Sequence, residues 1–188
     1  LDAKKTVQID TKTYGFIITP KINAPGRMGS PRVAFDLLTA TDEIHGNELL
    51  VQINEINKEL QRATKKALEE ARRQIEDEHQ QDHSILFAYS REWPSGIAGL
   101  IAGKLKDVYN KPVLVMAERG AGVVGSGRSV DGVHIVRALD TVSDCLGKYG
   151  GHPQACGFSL KDPSILPYFE ERLRETVSNM ISGISVKE

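Results

Sequence analysis

A long amphipathic repeat dominates the first half of the chain. Over residues 47–79, apolar side chains recur every three or four positions, a spacing that places them on one face of a helix. The stripe comprises Leu49, Ile53, Ile56, Leu60, Ala63, Ala67, Ala71 and Ile75. A helix of this length measures roughly 50 Å at the standard rise per residue. Such a length suggests a spacer joining two domains or a packed coiled-coil arm. Because the second half carries mainly alanine, which buries little apolar area, we predict an exposed helix that is weakly packed between residues 65 and 82.

The residues before this helix follow no clear period. Residues 14–18 are mostly apolar, which is compatible with a short strand or with a packed loop. Residues 21–31 contain two glycines and two prolines, a composition that predicts irregular structure. Ser30 followed by Pro31 is typical of a helix start. We expect a short helix there that ends near Ala40.

Short apolar runs alternate with helical patterns after residue 83. Residues 85–89 and 113–116 have the pattern of buried strands on either side of a helix, an order that favours a parallel pair. Further strands are predicted at residues 123–130, as a hairpin partner of 113–116, and at 156–160. Further helices are predicted at residues 134–144 and 163–180. The predicted fold is α/β: a mixed β-sheet of four to five strands flanked by helices and preceded by the long connecting α-helix.

Composition narrows the functional classes. The 188 residues are 40% hydrophobic and have a net charge of −1, which argues against indiscriminate, charge-driven binding of nucleic acid. The charge is uneven, because residues 69–82 carry six acids and two bases whereas residues 83–161 carry nine bases and six acids. The second stretch therefore has the charge for a local basic site.

Cysteine usage and the absence of long apolar runs bear on location. Cys145 and Cys156 have neither metal-type spacing nor a disulfide framework, as expected in the reducing cytoplasm. No apolar run approaches the roughly 20 residues that span a bilayer, and the first residues lack the apolar core of a signal peptide. The chain begins without Met, which is expected of a piece of a longer protein and equally of a chain after tag removal.

Two glycine-rich segments carry the polar residues best suited to a ligand. In the first, two glycines alternate with Ser and Arg, which predicts a strand face that another group approaches closely and donors suited to an anionic oxygen. In the second, paired glycines allow the chain to turn just before an imidazole. The candidate residues are Ser126, Gly127, Arg128, Ser129, Gly150, Gly151 and His152. Two ordinary turns with surface polar residues fit the same pattern.

Other kinds of site find little support. Trp93 lies in a predicted turn, where it can stack on a base or anchor the core. None of the five histidines has zinc-type spacing to another His or to a Cys. The chain has no P-loop, no nucleophile elbow and no clustered carboxylates for two-metal chemistry. We therefore predict no metal site in this sequence.

Four motifs in a fixed order carry a family resemblance. They are Asn-Ala-Pro-Gly-Arg-Met at 23–28, Glu-Trp-Pro-Ser-Gly-Ile-Ala-Gly at 92–99, Gly-Ser-Gly-Arg-Ser at 125–129 and Tyr-Gly-Gly-His at 149–152. With the long helix between the first two, the chain resembles the RecJ family of single-stranded-DNA-specific 5′→3′ exonucleases, within the DHH phosphoesterases. The resemblance extends over residues 14–177.

The resemblance implies that different parts of the protein bind the substrate and hydrolyse it. Residues 1–82 would be a connecting region with the long helix, and residues 83–188 a DHH-associated, substrate-binding domain. The catalytic DHH domain, which holds Mn²⁺ or Mg²⁺ in the family, would be absent from this chain and would be its partner together with single-stranded DNA. The parent function would be exonucleolytic hydrolysis in DNA repair and recombination, and this part alone is expected to be inactive.

The resemblance also assigns roles to individual residues. His152 would act in catalysis and in substrate binding, with Gly150 and Gly151, by facing the metal centre of the catalytic domain. Segment 126–129 and Arg27 would hold the 5′ phosphate of the DNA, and Trp93 would also contact substrate. These assignments stand as expectations for the structure.

Two other interpretations stay open at this stage. One is an oligoribonucleotide or cyclic-dinucleotide phosphoesterase of the same superfamily. The other is a non-enzymatic RNA-binding module, like the related domain of alanyl-tRNA synthetases. The long helix and the motif around Trp93 favour the RecJ family over the first, and the loop around Arg27 would be superfluous in the second.

Overall fold

The computed structural model of the protein describes residues 10–185. Its contacts divide the chain into two compact units, Leu1–Arg62 and Ala63–Glu188. The boundary lies inside a helix, because α4 (Glu43–Asp77) continues across it.

The described part of the first unit is helical. Helix α1 (Thr11–Thr13) continues through a π-helical turn (Tyr14–Ile18) into α2 (Thr19–Met28), and α3 (Arg32–Thr39) follows. The segment 14–18 is therefore neither a strand nor a loop. The predicted irregular structure of residues 21–31 is wrong as far as Met28.

Two features explain how a helix forms in this proline-containing segment. Ala24 and Pro25 are both buried in the unit, so packing offsets the hydrogen bond that proline cannot donate. The helix then ends at Gly29, whose φ of 156° favours glycine. Ser30 accepts a hydrogen bond from the Arg32 amide at 3.2 Å, but the N-cap residue of α3 is Pro31, one position later than predicted.

The long helix starts earlier than its apolar stripe indicates. Asp42 accepts hydrogen bonds from the amides of Ile44 (3.4 Å) and His45 (2.9 Å), as an N-cap residue does. The helix therefore begins at Glu43 rather than at Asn47, and it ends at Asp77.

The second half of α4 is well packed, contrary to the prediction. Ala67, Ala71 and Ile75 are 2%, 0% and 0% exposed. The Gln74 side chain bonds to the backbone of the nearby strand residue Tyr89. Alanine buries little area by itself, but its small size lets the helix backbone approach its neighbours closely, so an alanine stripe here marks tight packing rather than exposure.

The second unit contains a five-stranded mixed sheet in the order β1-β2-β3-β5-β4. Its strands are β1 (Leu86–Ser90), β2 (Val113–Arg119), β3 (Gly122–Arg128), β4 (Leu146–His152) and β5 (Ala155–Leu160). The β1–β2 pair is parallel and the other pairs are antiparallel. The predicted sheet, its parallel pair and the hairpin of β2 with β3 are confirmed.

Helices cover the two faces of the sheet unequally. One face packs against α6 (Ile135–Asp140) and α7 (Leu166–Ser185) and forms the main core with residues such as Leu114, Phe158 and Phe169. On the other face, α5 (Ala98–Tyr109) packs over β2 and β3. Four 3₁₀ turns complete the unit: Gln80–Asp82, Ser95–Ile97, Ser143–Cys145 and Pro163–Ile165.

The free edge of β1 is capped by two glutamine side chains. Gln80 accepts from the Phe87 amide at 2.8 Å and donates to the Phe87 carbonyl at 3.0 Å. Gln74 makes the same pair of bonds with Tyr89, at 3.0 and 2.9 Å. Each side-chain amide thus occupies the place of a neighbouring strand's peptide group, and the edge groups of this strand are satisfied.

Within residues 10–185, none of the helices combines the length and the apolar character needed to cross a membrane.

Candidate functional site

The glycines of β3 face the core rather than a ligand. Added Cβ atoms at Gly125 and Gly127 would overlap the Phe158 ring and lie 2.5 Å from Cys156 Sγ, respectively. The face without side chains is therefore filled by the protein itself. The expectation that a ligand approaches this face is wrong, and Gly127 serves to admit the Cys156 side chain.

Ser126 and Arg128 point to the opposite face, beside the start of α5. A Cβ at Gly99 would lie 3.1 Å from Arg128 Nη2 and 3.6 Å from Ser126 Oγ, so the helix backbone passes close to both side chains. Arg128 Nη1 donates to the Gly127 carbonyl at 2.8 Å. No carboxylate among residues 10–185 pairs with Arg128, which leaves its positive charge without a counter-ion in that range.

Strand register brings Arg128 and His152 to the same face at one end of the sheet. Arg128 is paired with Ala155 on β5, and Ala155 is paired with His152 on β4. Directly opposed residues share a face, and two strand spacings amount to about 10 Å. The long Arg128 side chain and the exposed imidazole therefore flank the small Ala155 side chain.

The two glycines before His152 lie in β4 and not in a turn, contrary to the prediction. The turn consists of Pro153 and Gln154 instead. Gly151 has a φ of 145°, and a Cβ there would overlap the Ala155 carbonyl, so its backbone requires glycine. Gly150 has no atom within 4 Å of an added Cβ.

Ser129 holds the hairpin that carries His152. Its amide donates to the Gln154 carbonyl at 2.9 Å, and its hydroxyl donates to the Val133 carbonyl at 2.7 Å. The Ile135 amide donates to the Pro153 carbonyl at 2.9 Å and fixes the same turn. Because Ser129 is buried and both of its donors are used, it positions the hairpin and offers no donor to a ligand.

Trp93 and Arg27 have different surroundings. Trp93 is 5% exposed, and its indole donates to Glu70 at 2.7 Å, so it has no open face for a base and acts as a packing anchor. Arg27 is half-buried in the last turn of α2, in the first unit. The structure thus brings together Ser126, Arg128, Gly150, Gly151 and His152 of the predicted set.

The thiol beside the site is held neutral. Burial raises the pKa of Cys156 to about 11, although the nearby Gly127 amide and Arg128 charge act in the opposite direction. Among residues 10–185, no three His, Cys, Asp or Glu side chains form a group that could hold a metal ion. The described site is suited to binding an anion through Arg, His and backbone groups.

One row of this face was not found from the sequence. Val124, Ser159 and Lys148 are cross-strand partners on the same face, and with Gly157 they line a shallow depression. The alternation of side chains along a strand could have identified this row. If residues 146–152 are taken as a strand, Lys148, Gly150 and His152 fall on one face.

Comparison with known sequences finds a family for the part of the chain that contains the sheet. The sequence profile of the DHHA1 domain matches residues 82–179. The chain belongs to the DHHA1 domain family.

The DHHA1 match is accompanied by similarity to longer proteins. Over 93% of its length the chain is 32% identical to the single-stranded-DNA-specific exonuclease RecJ of Bacillus subtilis (strain 168), of which it covers 22%. It is 29% identical to RecJ of Escherichia coli (strain K12), with 96% of the chain and 32% of that protein covered. The chain thus spans about a fifth to a third of the length of these relatives.

Solved structures agree with this similarity. The chain aligns with RecJ from Thermus thermophilus, solved in complex with Mg²⁺, at a TM-score of 0.78 and 25% identity, covering 89% of the chain and 26% of that structure. A structure of exonuclease RecJ bound to manganese gives a TM-score of 0.77 and 26% identity, covering 88% and 41%. The mixed five-stranded sheet with a long helix before it therefore matches part of RecJ.

Proposed function

We propose that this chain is the substrate-binding part of a single-stranded-DNA exonuclease that acts from 5′ to 3′. One observation carries the proposal: Arg128 and His152 lie in one cross-strand row on a partly uncovered face, in a chain 32% identical to a single-stranded-DNA-specific exonuclease. In this proposal residues 83–188 form the binding domain and residues 1–82 the connecting region.

The chemistry of the row suits a terminal phosphate. A guanidinium offers several donors in a planar fork that matches phosphate oxygens, and Arg128 has no competing carboxylate among the described residues. The His152 imidazole adds a further N–H donor, and Gly150 leaves the strand backbone accessible. A charge-assisted hydrogen bond of this kind contributes roughly 1.5–3 kcal/mol. Arg27 joins this recognition by family resemblance.

Hydrolysis itself is assigned to another domain. The resemblance places Mn²⁺ or Mg²⁺ in a DHH catalytic domain, and residues 10–185 contain no carboxylate and histidine group to replace it. His152, exposed at the end of β4, is the residue of this chain that faces the reacting phosphate. Its role would be to donate a hydrogen bond to a phosphate oxygen, and the metal ions of the catalytic domain would supply the nucleophile.

The first unit supplies a surface for that catalytic domain. Large apolar side chains are exposed there, and exposed apolar surface is a feature of protein interfaces. They are Tyr14, Phe16, Ile17, Phe35, Leu38, Ile44, Leu50 and Val51. Since the relatives are three or more times longer than this chain, the remaining polypeptide is the proposed partner of this surface.

Substitution of Arg128 in the full-length enzyme tests the proposal. Arg128→Ala should weaken binding of 5′-phosphorylated single-stranded DNA by about one to two decades and should affect 5′-hydroxyl DNA much less. Arg128→Lys should recover part of the loss, because an ammonium cannot make the forked contact. Arg119→Ala is the matched control, since Arg119 is exposed at the opposite end of the sheet.

Equal weakening for both DNA ends, at an unchanged melting temperature, would contradict phosphate recognition by Arg128. Preference of the wild-type protein for short RNA or for a cyclic dinucleotide over single-stranded DNA in competition would instead favour the other phosphoesterase interpretation.

A further inference from the structure

Among residues 10–185, parts of β5 and β4 are exposed on the α5 side of the sheet. Helix α5 packs over β2 and β3, whereas Gly157, Lys148 and His152 are exposed. Three cross-strand rows follow one another on this face: Arg128–Ala155–His152, Ser126–Gly157–Gly150 and Val124–Ser159–Lys148. The middle row has almost no side chains. Arg128 lies in the row on one side of it, and Lys148 lies in the row on the other side.

The glycines of the middle row are not required by the fold. An added Cβ at Gly150 has no atom within 4 Å, and one at Gly157 meets only the Gly125 carbonyl at 4.0 Å. Neither has a positive φ. Glycine weakens a strand interior and often marks a place where a ligand approaches the backbone. These two positions differ in this respect from Gly125 and Gly151, where the protein itself occupies the space.

Lys148 forms the far end of the bare surface. Its amide donates to Ser159 Oγ at 3.0 Å, which fixes its backbone. No carboxylate within residues 10–185 forms an ion pair with its ammonium. It lies four positions before His152 on β4, a distance of about 13 Å. A strand anchored by its 5′ end at Arg128 would reach Lys148 a few nucleotides further on.

We propose that Gly150 and Gly157 form the floor, and Lys148 the distal phosphate contact, of a track for the sugar–phosphate backbone of single-stranded nucleic acid. The inference rests on the proposed function and extends it from the terminal phosphate to the following nucleotides. The cations at both ends complement the charge of the strand. Apart from the His152 imidazole, the side chains of the three rows are not aromatic and cannot stack on bases, so the contacts go mainly to phosphates and sugars and carry no sequence information.

The test uses one alanine and one glutamine variant of the full-length protein, both of which leave its fold intact. Gly157→Ala fills open space and should keep or raise the melting temperature, yet it should weaken binding of a 5′-phosphorylated oligonucleotide several-fold. Lys148→Gln should weaken binding of the same oligonucleotide. It should also reduce the slope of log K against log salt by about 0.7, which is the effect of one phosphate contact on a single strand. Gly103→Ala and Lys65→Gln are matched controls, since Gly103 has open space in α5 and Lys65 is exposed on α4.

A 5′-phosphorylated dinucleotide separates this inference from the proposed function. It fills the Arg128 end and does not reach Lys148, so Lys148→Gln should leave its binding unchanged. Wild-type affinity of both variants for the longer oligonucleotide would overturn the track, and the Arg128 result would then still stand. Equal loss for the dinucleotide and the longer strand would also overturn it. Failure of the wild-type protein to prefer a 5′ phosphate would reject the proposed function and the track together.

Discussion

Gly150 and Gly151 are neighbours in β4, but only one of the two positions requires glycine. Gly151 has a φ of 145° and no room for a Cβ beside the Ala155 carbonyl, whereas Gly150 faces open space. One glycine is therefore needed to form the β4–β5 hairpin, and the other is available for contact with a ligand. Two adjacent glycines thus differ: Gly151 meets a constraint of the fold, and Gly150 belongs to the binding surface proposed above.

Alanine substitution should separate these two roles. Gly151→Ala is expected to lower the free energy of unfolding by more than about 2 kcal/mol, because the methyl group is strained by φ and overlaps backbone atoms. Gly150→Ala should change it by less than about 1 kcal/mol. Urea unfolding followed by circular dichroism measures both, and similar losses for the two variants would contradict the assignment.

The edge of β1 is the clearest example of side chains that take the place of a strand. The Gln80 amide is buried and bonds to both backbone groups of Phe87, while Gln74 serves Tyr89. Buried peptide groups without partners are costly. These two glutamines therefore make the end of α4 and the following turn part of the sheet's hydrogen-bond pattern.

Gln80→Ala should destabilise the protein strongly. It leaves the amide and the carbonyl of Phe87 without partners in a buried place, so a loss of about 2–4 kcal/mol in the free energy of unfolding is expected. Gln81→Ala is the control, because the Gln81 side chain is exposed and only its carbonyl accepts from Lys111. Equal stability of the two variants in thermal unfolding would show that water replaces the Gln80 side chain without penalty.

Glu170 makes stability depend on pH. Burial raises the pKa of its carboxyl to about 7, with Glu78 adding to the effect and Arg174 opposing it. Because the folded-state pKa lies above the ordinary 4.5, the folded protein binds the proton more tightly. Stability is then highest below about pH 4.5 as far as this group is concerned, and it decreases as the pH rises towards 7.

Glu170→Gln should remove that part of the pH dependence. The variant is expected to gain about 1–3 kcal/mol over the wild type at pH 8 and little at pH 4.5, since the raised pKa corresponds to a cost of ionisation in a mostly buried place. Urea titrations across this pH range provide the measurement. An unchanged wild-type slope in the variant would mean that Glu170 ionises freely through solvent exposure.

The elements found from the sequence were those with a strong apolar period. The β1–α5–β2 order and the long helix have continuous apolar runs or stripes, and both were predicted. Strand β4 was missed because Gly147, Gly150 and Gly151 interrupt an exposed edge strand that has no apolar alternation. Helix α2 was missed because Pro25 argues against a helix when its burial is unknown.

The site was predicted less completely than the fold, for a related reason. Sequence patterns identify residue types but not the face on which a side chain lies. Ser129 has a suitable donor and Trp93 a suitable ring, but each side chain is already bonded within the protein, to Val133 and to Glu70 respectively. Lys148 has no motif of its own, and only the register of β4 with β5 places it on the face of Arg128.

At the level of the whole chain, binding and hydrolysis are expected to be separable. Residues 10–185 contain no group of side chains for a metal ion, and the chain covers 22% of its Bacillus subtilis relative. The purified chain should therefore leave labelled single-stranded DNA intact in the presence of Mn²⁺. Mn²⁺-dependent degradation that disappears in a variant lacking the Arg128 and His152 side chains would contradict this expectation.

The capped edge of β1 also limits how copies of this chain can assemble. A sheet grows into a fibre only if each molecule offers two free edges, one for each neighbour. Here the glutamines occupy the β1 edge, and β4 is the other edge of the sheet. Each molecule is then monovalent for strand pairing, so an association through β4 closes as a two-fold symmetric pair and cannot propagate.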